Sequence, residues 1–270
     1  MTWKRVSNLS KCPICSKNDW CLIAHDRSAV ICPRIDEGSS RYIEGSGYLH
    51  VLKWNDEWKD EEPAQVEKLP EHNEVLAIQA RRWVSECEPE EVGELAGRLG
   101  VTAESLRLLN VGFMPQKDSW MFPMQRWQNR LVGIRLRPRT SNKKFTAKGS
   151  KNGLFIPNNL NIDEPVFITE GESDTAALLS CGLNTVGRVG CTGGSRLLAN
   201  MLDKKKVVIC LDRDGAGYKG GYQLSKYLSF YCKDIKIMTT PLKYNDMREW
   251  YRAEGQDNIR TTAERLLGEE

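Results

Sequence analysis

Residues 165–214 read PVFITEGESDTAALLSCGLNTVGRVGCTGGSRLLANMLDKKKVVICLDRD. Two apolar runs stand out, Val166-Phe167-Ile168 and Val207-Val208-Ile209-Cys210-Leu211, and each ends at carboxylates. Glu170 and Asp174 follow the first run; Asp212 and Asp214 follow the second. Short, β-branched, continuously apolar runs are expected of strands buried on both faces, which points to a parallel sheet. A helical pattern follows each run. In open α/β sheets, sites form at the carboxyl ends of the strands. Acids from two such ends therefore converge on a pocket suited to a hard divalent cation.

Asp212 and Asp214 are two apart, so their side chains leave the strand end on one face. Mg²⁺ takes oxygen ligands, keeps several waters and shares its coordination sphere with phosphates. Four carboxylates exceed the needs of one such ion. Two ions would activate an attacking oxygen and steady a leaving one in phosphoryl transfer. The small residues Gly171, Gly215 and Gly217 leave space for a ligand. Glu172 lies between the acids of the first pair and reads as a supporting or solvent-facing residue. Asp246, at the next strand end, is a further candidate for the cluster.

Outward from this stretch the pattern continues as alternating helices and strands. A helix is expected over 173–179, a glycine-rich turn over 187–194, and a helix from Ser195 to about Leu202. Another helix is expected over 221–230, then a strand over 235–238 and a last helix after Asn245-Asp246. The fold class is α/β: a parallel sheet with flanking helices, preceded by a mixed α+β subdomain and a small β-ribbon.

Upstream, from Lys117 to Leu154, ten Lys or Arg residues accompany a single acid, Asp118. A basic block beside an acidic metal site suggests a polyanionic partner, nucleic acid or nucleotide; a solvated basic face is the plainer alternative. Met121–Met124 and Leu131–Arg137 read as an antiparallel hairpin turning at 127–129. Arg135 and Arg137 share a face of the second strand, and Lys144, Lys148 and Lys151 follow. Cations so placed suit phosphates that a nearby metal also contacts. Before the hairpin, helices are expected over 75–87, from Pro89 to Leu99 and, capped by Thr102, to Leu109. No chemistry is visible in them.

At the N-terminus, Cys12-x-x-Cys15 has the spacing of a zinc knuckle. Two strand-like runs, 20–24 and 29–33, flank the polar turn 25–28. Folding them as a hairpin sets Cys21 opposite Cys32, completing a four-cysteine zinc site with Cys12 and Cys15. Two alternatives remain: His25 replaces one cysteine, or Cys21 is a small buried residue. Such a ribbon has little core, so the metal would supply much of its folding energy. Trp20, Tyr42, Tyr48, Trp54 and Trp58 offer faces for base stacking, or else cover a thin core.

The organisation expected is a ribbon over 1–52, an acidic, proline-bearing linker over 53–75, a basic subdomain over 76–160 and the acid-bearing sheet over 161–270. The 270 residues carry a formal charge of +3 and nine cysteines, four of them clustered. That usage points to metal binding in a reducing, cytoplasmic compartment. Neither a signal peptide nor a run of apolar residues long enough to span a membrane is visible.

Glu170-Gly171-x-x-Asp174 after one strand and Asp212-x-Asp214-x-Ala216-Gly217 after another resemble a Toprim domain, shared by bacterial-type primases, type IA and type II topoisomerases and certain nucleases. Gly190-Cys191-Thr192 is similar to a Gly-Thr turn of the primases, and Asn245-Asp246 to their late acidic position. The stretch Lys144-Phe145 to Lys148, with Lys151-Asn152-Gly153-Leu154-Phe155, is similar to the basic subdomain preceding Toprim in primases. The order of ribbon, basic subdomain and Toprim resembles short phage- or mobile-element-type primases. The irregular second cysteine pair departs from the family pattern.

The resemblance implies a DNA-dependent RNA primase, a nucleotidyltransferase using Mg²⁺ or Mn²⁺ to extend short RNA primers on single-stranded DNA from ribonucleoside triphosphates. Glu170, Asp174, Asp212 and Asp214 would be its catalytic acids, with Glu170, Asp212, Asp214 and Asp246 holding magnesium. Glu170 would be a ligand or a general acid/base. Arg135, Arg137, Lys144, Lys148 and Lys151 would hold template or nucleotide phosphates. No G-x-x-x-x-G-K-[ST] loop occurs, so a replicative helicase is expected as a separate chain. The alternatives are a Toprim nuclease and a non-catalytic nucleic-acid-binding replication protein.

Overall fold

The structure, a computed structural model, describes residues 3–8, 10–25, 29–52, 69–141 and 143–268. Most of the expected linker, together with Trp54 and Trp58, lies outside them. Contacts divide the chain into two compact units, 1–68 and 69–270.

The first unit is a five-stranded antiparallel sheet of β1 (Trp3–Arg5), β2 (Leu22–Ala24), β3 (Ala29–Cys32), β4 (Arg41–Ile43) and β5 (Gly47–Val51), ordered β1-β2-β3-β5-β4. Leu22 pairs with Ile31 and Ile23 with Val30, the register that sets Cys21 against Cys32. Val6, Ile23, Val30 and three cysteines form its small buried core.

The second unit opens with α1 (Glu74–Ser85), α2 (Pro89–Leu99) and α3 (Ala103–Leu108). Their ends follow local chemistry. Asn73 Oδ1 accepts from the Leu76 amide at 3.0 Å. Glu88 and Glu91 form a capping box before α2, with Pro89 in its first turn, and Gly100 closes that helix in the left-handed conformation. Thr102 Oγ1 caps α3. Next come β6 (Gly112–Met114), β7 (Ser119–Arg126), β8 (Arg130–Pro138), β9 (Phe145–Thr146) and β10 (Leu154–Phe155). The rest alternates: β11 (Val166–Glu170), α4 (Gly171–Ser180), β12 (Thr185–Arg188), α5 (Ser195–Met201), β13 (Lys206–Leu211), α6 (Gly215–Leu228), β14 (Asp234–Thr239), α7 (Met247–Glu254) and α8 (Asp257–Leu267).

The strands make one mixed sheet ordered β14-β13-β11-β12-β10-β7-β8-β9, with β6 paired to β7. Strands β11 to β14 are mutually parallel, while β10 runs antiparallel to both β12 and β7. The basic region and the acid-bearing region, which the sequence separates at residue 160, thus share a single sheet. The two-residue strand β10 joins them.

Both faces of the parallel strands are buried. Val166, Ile168, Val207, Ile209 and Leu211 pack with α5 and α6. Phe167, Val208 and Cys210 point the other way, onto residues of α4, α7 and α8. This two-sided burial explains why the strands read as unbroken apolar runs. Helix α6 begins six residues before the expected start, because Asp214 caps it by accepting from the Gly217 amide. Among the described residues no helix is long and apolar enough to cross a membrane.

Candidate active site and metal centre

The acids gather where the sheet topology sends them. Glu170 is the last residue of β11, Asp212 directly follows β13, and Asp174 lies in the first turn of α4. Gly171 makes the strand-to-helix turn with φ +82°, a conformation that glycine adopts without strain. Asp246 caps α7, accepting from the Glu249 amide at 2.6 Å. These four carboxylates line one cavity of ≈ 670 Å³. Asp214 is exposed and outside the cavity wall, with its side chain committed to the cap of α6. Gly217 passes so close to Asp212 that a Cβ there would lie 2.7 Å from the Asp212 Cβ.

The carboxylates repel one another. Burial, then Asp174, Glu170, Asp246 and Asp214, pushes the Asp212 carboxyl up to about 8. Asp174 is 6% exposed; burial and then Asp246 raise it to about 7, against the Arg248 amide that donates to its Oδ1 at 3.0 Å. Burial also raises Glu170, opposed by Arg188, whose Nη2 lies 3.0 Å from Glu170 Oε1. Arg188 is 2% exposed and ends β12, in register with Glu170.

This donor set of oxygen anions with excess negative charge fits a hard divalent cation. Among the described residues, no three of the acids come close enough to hold an ion by themselves. That spacing suits an ion that retains waters and shares phosphate oxygens, more than an all-protein cage.

Cations line the same cavity. Arg135, Arg137 and Lys144 line it, as the basic block suggested. Arg98, Arg248 and Arg252 also line it, and the sequence reading did not single them out. The early helices therefore do bring chemistry to the site, through Arg98. Lys148 and Lys151 are exposed and outside the cavity wall. Arg137 is not a solvent-facing cation: it is 6% exposed, and its Nη2 lies 2.9 Å from Glu172 Oε1. Glu172 does not face solvent either, being 1% exposed. Burial would push its carboxyl up, but Lys144 and Arg137 hold it below the usual range.

In the first unit Cys12, Cys15, Cys21 and Cys32 converge, their sulfurs all within 4.8 Å of one another. The Cys15–Cys21 and Cys21–Cys32 Sγ separations are 3.5 and 3.8 Å. Tetrahedral zinc with Zn–S bonds of about 2.3 Å needs sulfurs about 3.8 Å apart, so the residues fit that ion. Although burial raises Cys15, the Lys17 amide and the neighbouring thiols bring it to about 7. Arg34 Nη1 approaches the Cys21 and Cys15 sulfurs at 3.5 and 3.7 Å, a counter-charge for thiolates. His25 lies outside the cluster. Trp20 and Tyr42 are 56% and 59% exposed, and Tyr42 meets the half-buried Tyr48 edge-on.

No protein-family model matches the chain. It is 30% identical to the uncharacterized protein MG010 of Mycoplasma genitalium, over 51% of this chain and 69% of that protein. Its fold is that of DnaG-type primase catalytic cores. The E. coli primase catalytic core superposes with a TM-score of 0.55 at 14% identity, over 71% of this chain and 79% of that one. A DnaG primase catalytic domain bound to single-stranded DNA gives 0.55 and 14%, over 71% and 77%. The zinc-binding and RNA polymerase domains of Aquifex aeolicus primase give 0.50 and 17%, over 70% and 66%.

Proposed function

The chain belongs to the family of the uncharacterized protein MG010 of Mycoplasma genitalium, and from its primase-core fold and acid cavity we propose that it is a DNA primase. The reaction is extension of short RNA primers on single-stranded DNA from ribonucleoside triphosphates. One observation carries this reading: Glu170, Asp174, Asp212 and Asp246 share one cavity at the carboxyl ends of the parallel strands with six Lys and Arg side chains. In-line attack of a 3′-hydroxyl on an α-phosphate needs mainly positioning and charge neutralisation. A cavity lined by both carboxylates and cations provides for both.

Glu170, Asp212 and Asp246, with Asp174 behind them, would hold Mg²⁺ or Mn²⁺, and Asp214 adds negative charge from the rim. When bound, such an ion neutralises charge on the reacting phosphate oxygens. Lys144, Arg135 and Arg248 hold the nucleotide's phosphates by charge-assisted hydrogen bonds. Arg188 balances Glu170 within the buried strand ends. Lys148 and Lys151, outside the cavity, contact template backbone. Residues 1–52 act as a zinc ribbon held by Cys12, Cys15, Cys21 and Cys32, with Trp20 and Tyr42 as stacking faces for template bases. Single-stranded DNA bound to a DnaG catalytic domain and the zinc-binding domain of the Aquifex primase support this assignment. A replicative helicase is the partner proposed to supply the unwound template.

The test is incubation with single-stranded DNA, labelled ribonucleotides and Mg²⁺ or Mn²⁺, following both product growth and template loss. Short oligonucleotides that grow from ribonucleotides support the proposal. Template degradation would assign the site to a nuclease instead, and binding without either outcome would make the chain a non-catalytic DNA-binding protein.

A further inference from the structure

Glu172 is a charged residue in a place where a charge is expensive. It follows the Gly171 turn, is 1% exposed, and sits between two cations that line the cavity. Its Oε1 receives Arg137 Nη2 at 2.9 Å and Lys144 Nζ at 3.0 Å. An unpaired carboxylate at that depth would cost several kcal/mol, so the residue is tied to both partners.

The two partners are not equivalent. Arg137 projects from β8 and is 6% exposed, which makes it a buried counter-charge. Lys144 comes from the segment between β8 and β9, and its side chain keeps 29% of its exposure. A lysine is a point charge on a flexible four-carbon stem. At a cavity mouth such a side chain samples many rotamers, and a fixed anion beneath it selects one. The selected position lies over the strand-to-helix turn: a Cβ on Gly171 would be 3.8 Å from Lys144 Nζ. Glu170 and Asp174 flank this turn on either side. Two cations on one carboxylate leave the cluster with a surplus positive charge beside the acids, where a phosphate belongs.

We infer that Glu172 is a positioning residue, whose carboxylate, braced by Arg137, fixes the Lys144 ammonium over Gly171 to receive the phosphates of an incoming nucleotide. This rests on the reading of the cavity as a nucleotide site. It adds a residue that does not itself touch the substrate and acts through Lys144.

The test uses ATP with Mg²⁺ on the full chain, by calorimetry for affinity and by primer synthesis for KM and kcat. Glu172→Gln should raise the ATP Kd and KM about tenfold, with kcat changed by no more than about twofold, since it removes a charge-assisted contact that orders Lys144. Lys144→Met should do the same. The double variant should be no worse than either single one, because the two residues act as one unit. Glu172→Asp keeps the negative charge that balances Arg137 in the interior but draws the shared oxygen back by one methylene from both cations, so it should fold and still raise KM a few-fold.

Additive effects in the double variant would overturn the inference. So would a Glu172→Asp protein that binds ATP like the wild type, which would leave Glu172 a purely structural ion-pair partner. If the wild type binds ATP but makes no primers, the primase reading fails while the positioning role stands on the affinities. If it binds no ATP, both fail.

Discussion

Glu170 and Arg188 face each other at the ends of two adjacent parallel strands, in one register row, with Nη2 3.0 Å from Oε1. The pair joins the two halves of the sheet's site. Glu170 ends β11, the strand that leads into the acid-bearing helix, while β12 continues through β10 into the basic region. Arg188→Met should leave Glu170 without its main opposing charge, raising its pKa further and destabilising the fold by about 1–3 kcal/mol. The Mg²⁺ concentration needed for half-maximal thermal stabilisation should rise more at pH 6 than at pH 8.5, because only the ionised carboxylate binds the cation. Equal shifts at both pH values would exclude that coupling.

Mutual repulsion of the acids makes stability depend on pH with a definite sign. Asp212 is raised to about 8 and Asp174 to about 7, so in the metal-free protein both retain protons that the unfolded chain has already released. Where the native state binds more protons, stability falls as pH rises. The contribution is fully present below the ordinary aspartate range near pH 4 and is lost by about pH 8. In chelator, melting should drop across that window, Mg²⁺ should restore it increasingly towards alkaline pH, and Asp212→Asn should flatten the slope. A slope unchanged by Asp212→Asn would place its origin elsewhere.

The cysteine cluster should bind one zinc ion per chain. Cys32→Ser removes a sulfur 3.8 Å from that of Cys21 and should sharply reduce bound zinc after dialysis. His25→Ala should leave the stoichiometry at one, since His25 is outside the cluster. Metal analysis of the two variants decides the ligand set; retained zinc in the Cys32→Ser protein would remove Cys32 from it.

Lys148 and Lys151 lie outside the cavity, and the proposal gives them the template backbone as partner. Each alanine substitution should lower the slope of log affinity against log salt for single-stranded DNA by about 0.7. Neither should change the nucleotide KM by more than about twofold, because neither lines the cavity. A large KM effect would relocate them to the nucleotide.

Much of the fold and of the site is legible in the sequence. Apolar runs ending in acids revealed the parallel strands, because two-sided burial leaves no alternation to confuse the pattern. Hairpin register alone set Cys21 against Cys32, and Pro89, Gly100 and Thr102 marked helix ends through local chemistry. Other parts could not be seen. Strand β10 has two residues and no period, so the continuity of the sheet across residue 160 had no signature. Arg98 comes from α2 and Arg248 and Arg252 from α7, and only their packing around one cavity makes them a set, while Arg188 joins through its pair with Glu170. The sequence reads Arg137 as a phosphate-holding cation and Glu172 as a supporting or solvent-facing acid; their burial as a pair has no sequence signal, because pairing, which makes a buried charge tolerable, is a tertiary fact. The early start of α6 followed from a side-chain cap that competes with the helix-poor look of Gly215-Ala216-Gly217.

The work proposed for the acid cavity is the joining of ribonucleotides on a template. Its most direct measurement is incorporation of α-labelled ribonucleotides on single-stranded DNA with Mg²⁺ or Mn²⁺, comparing the wild type with Asp212→Asn. The wild type should make short labelled oligonucleotides, and the variant at least about a hundredfold less at equal template binding. Equal product from both proteins, or none from a wild type that binds template and nucleotide, would contradict it.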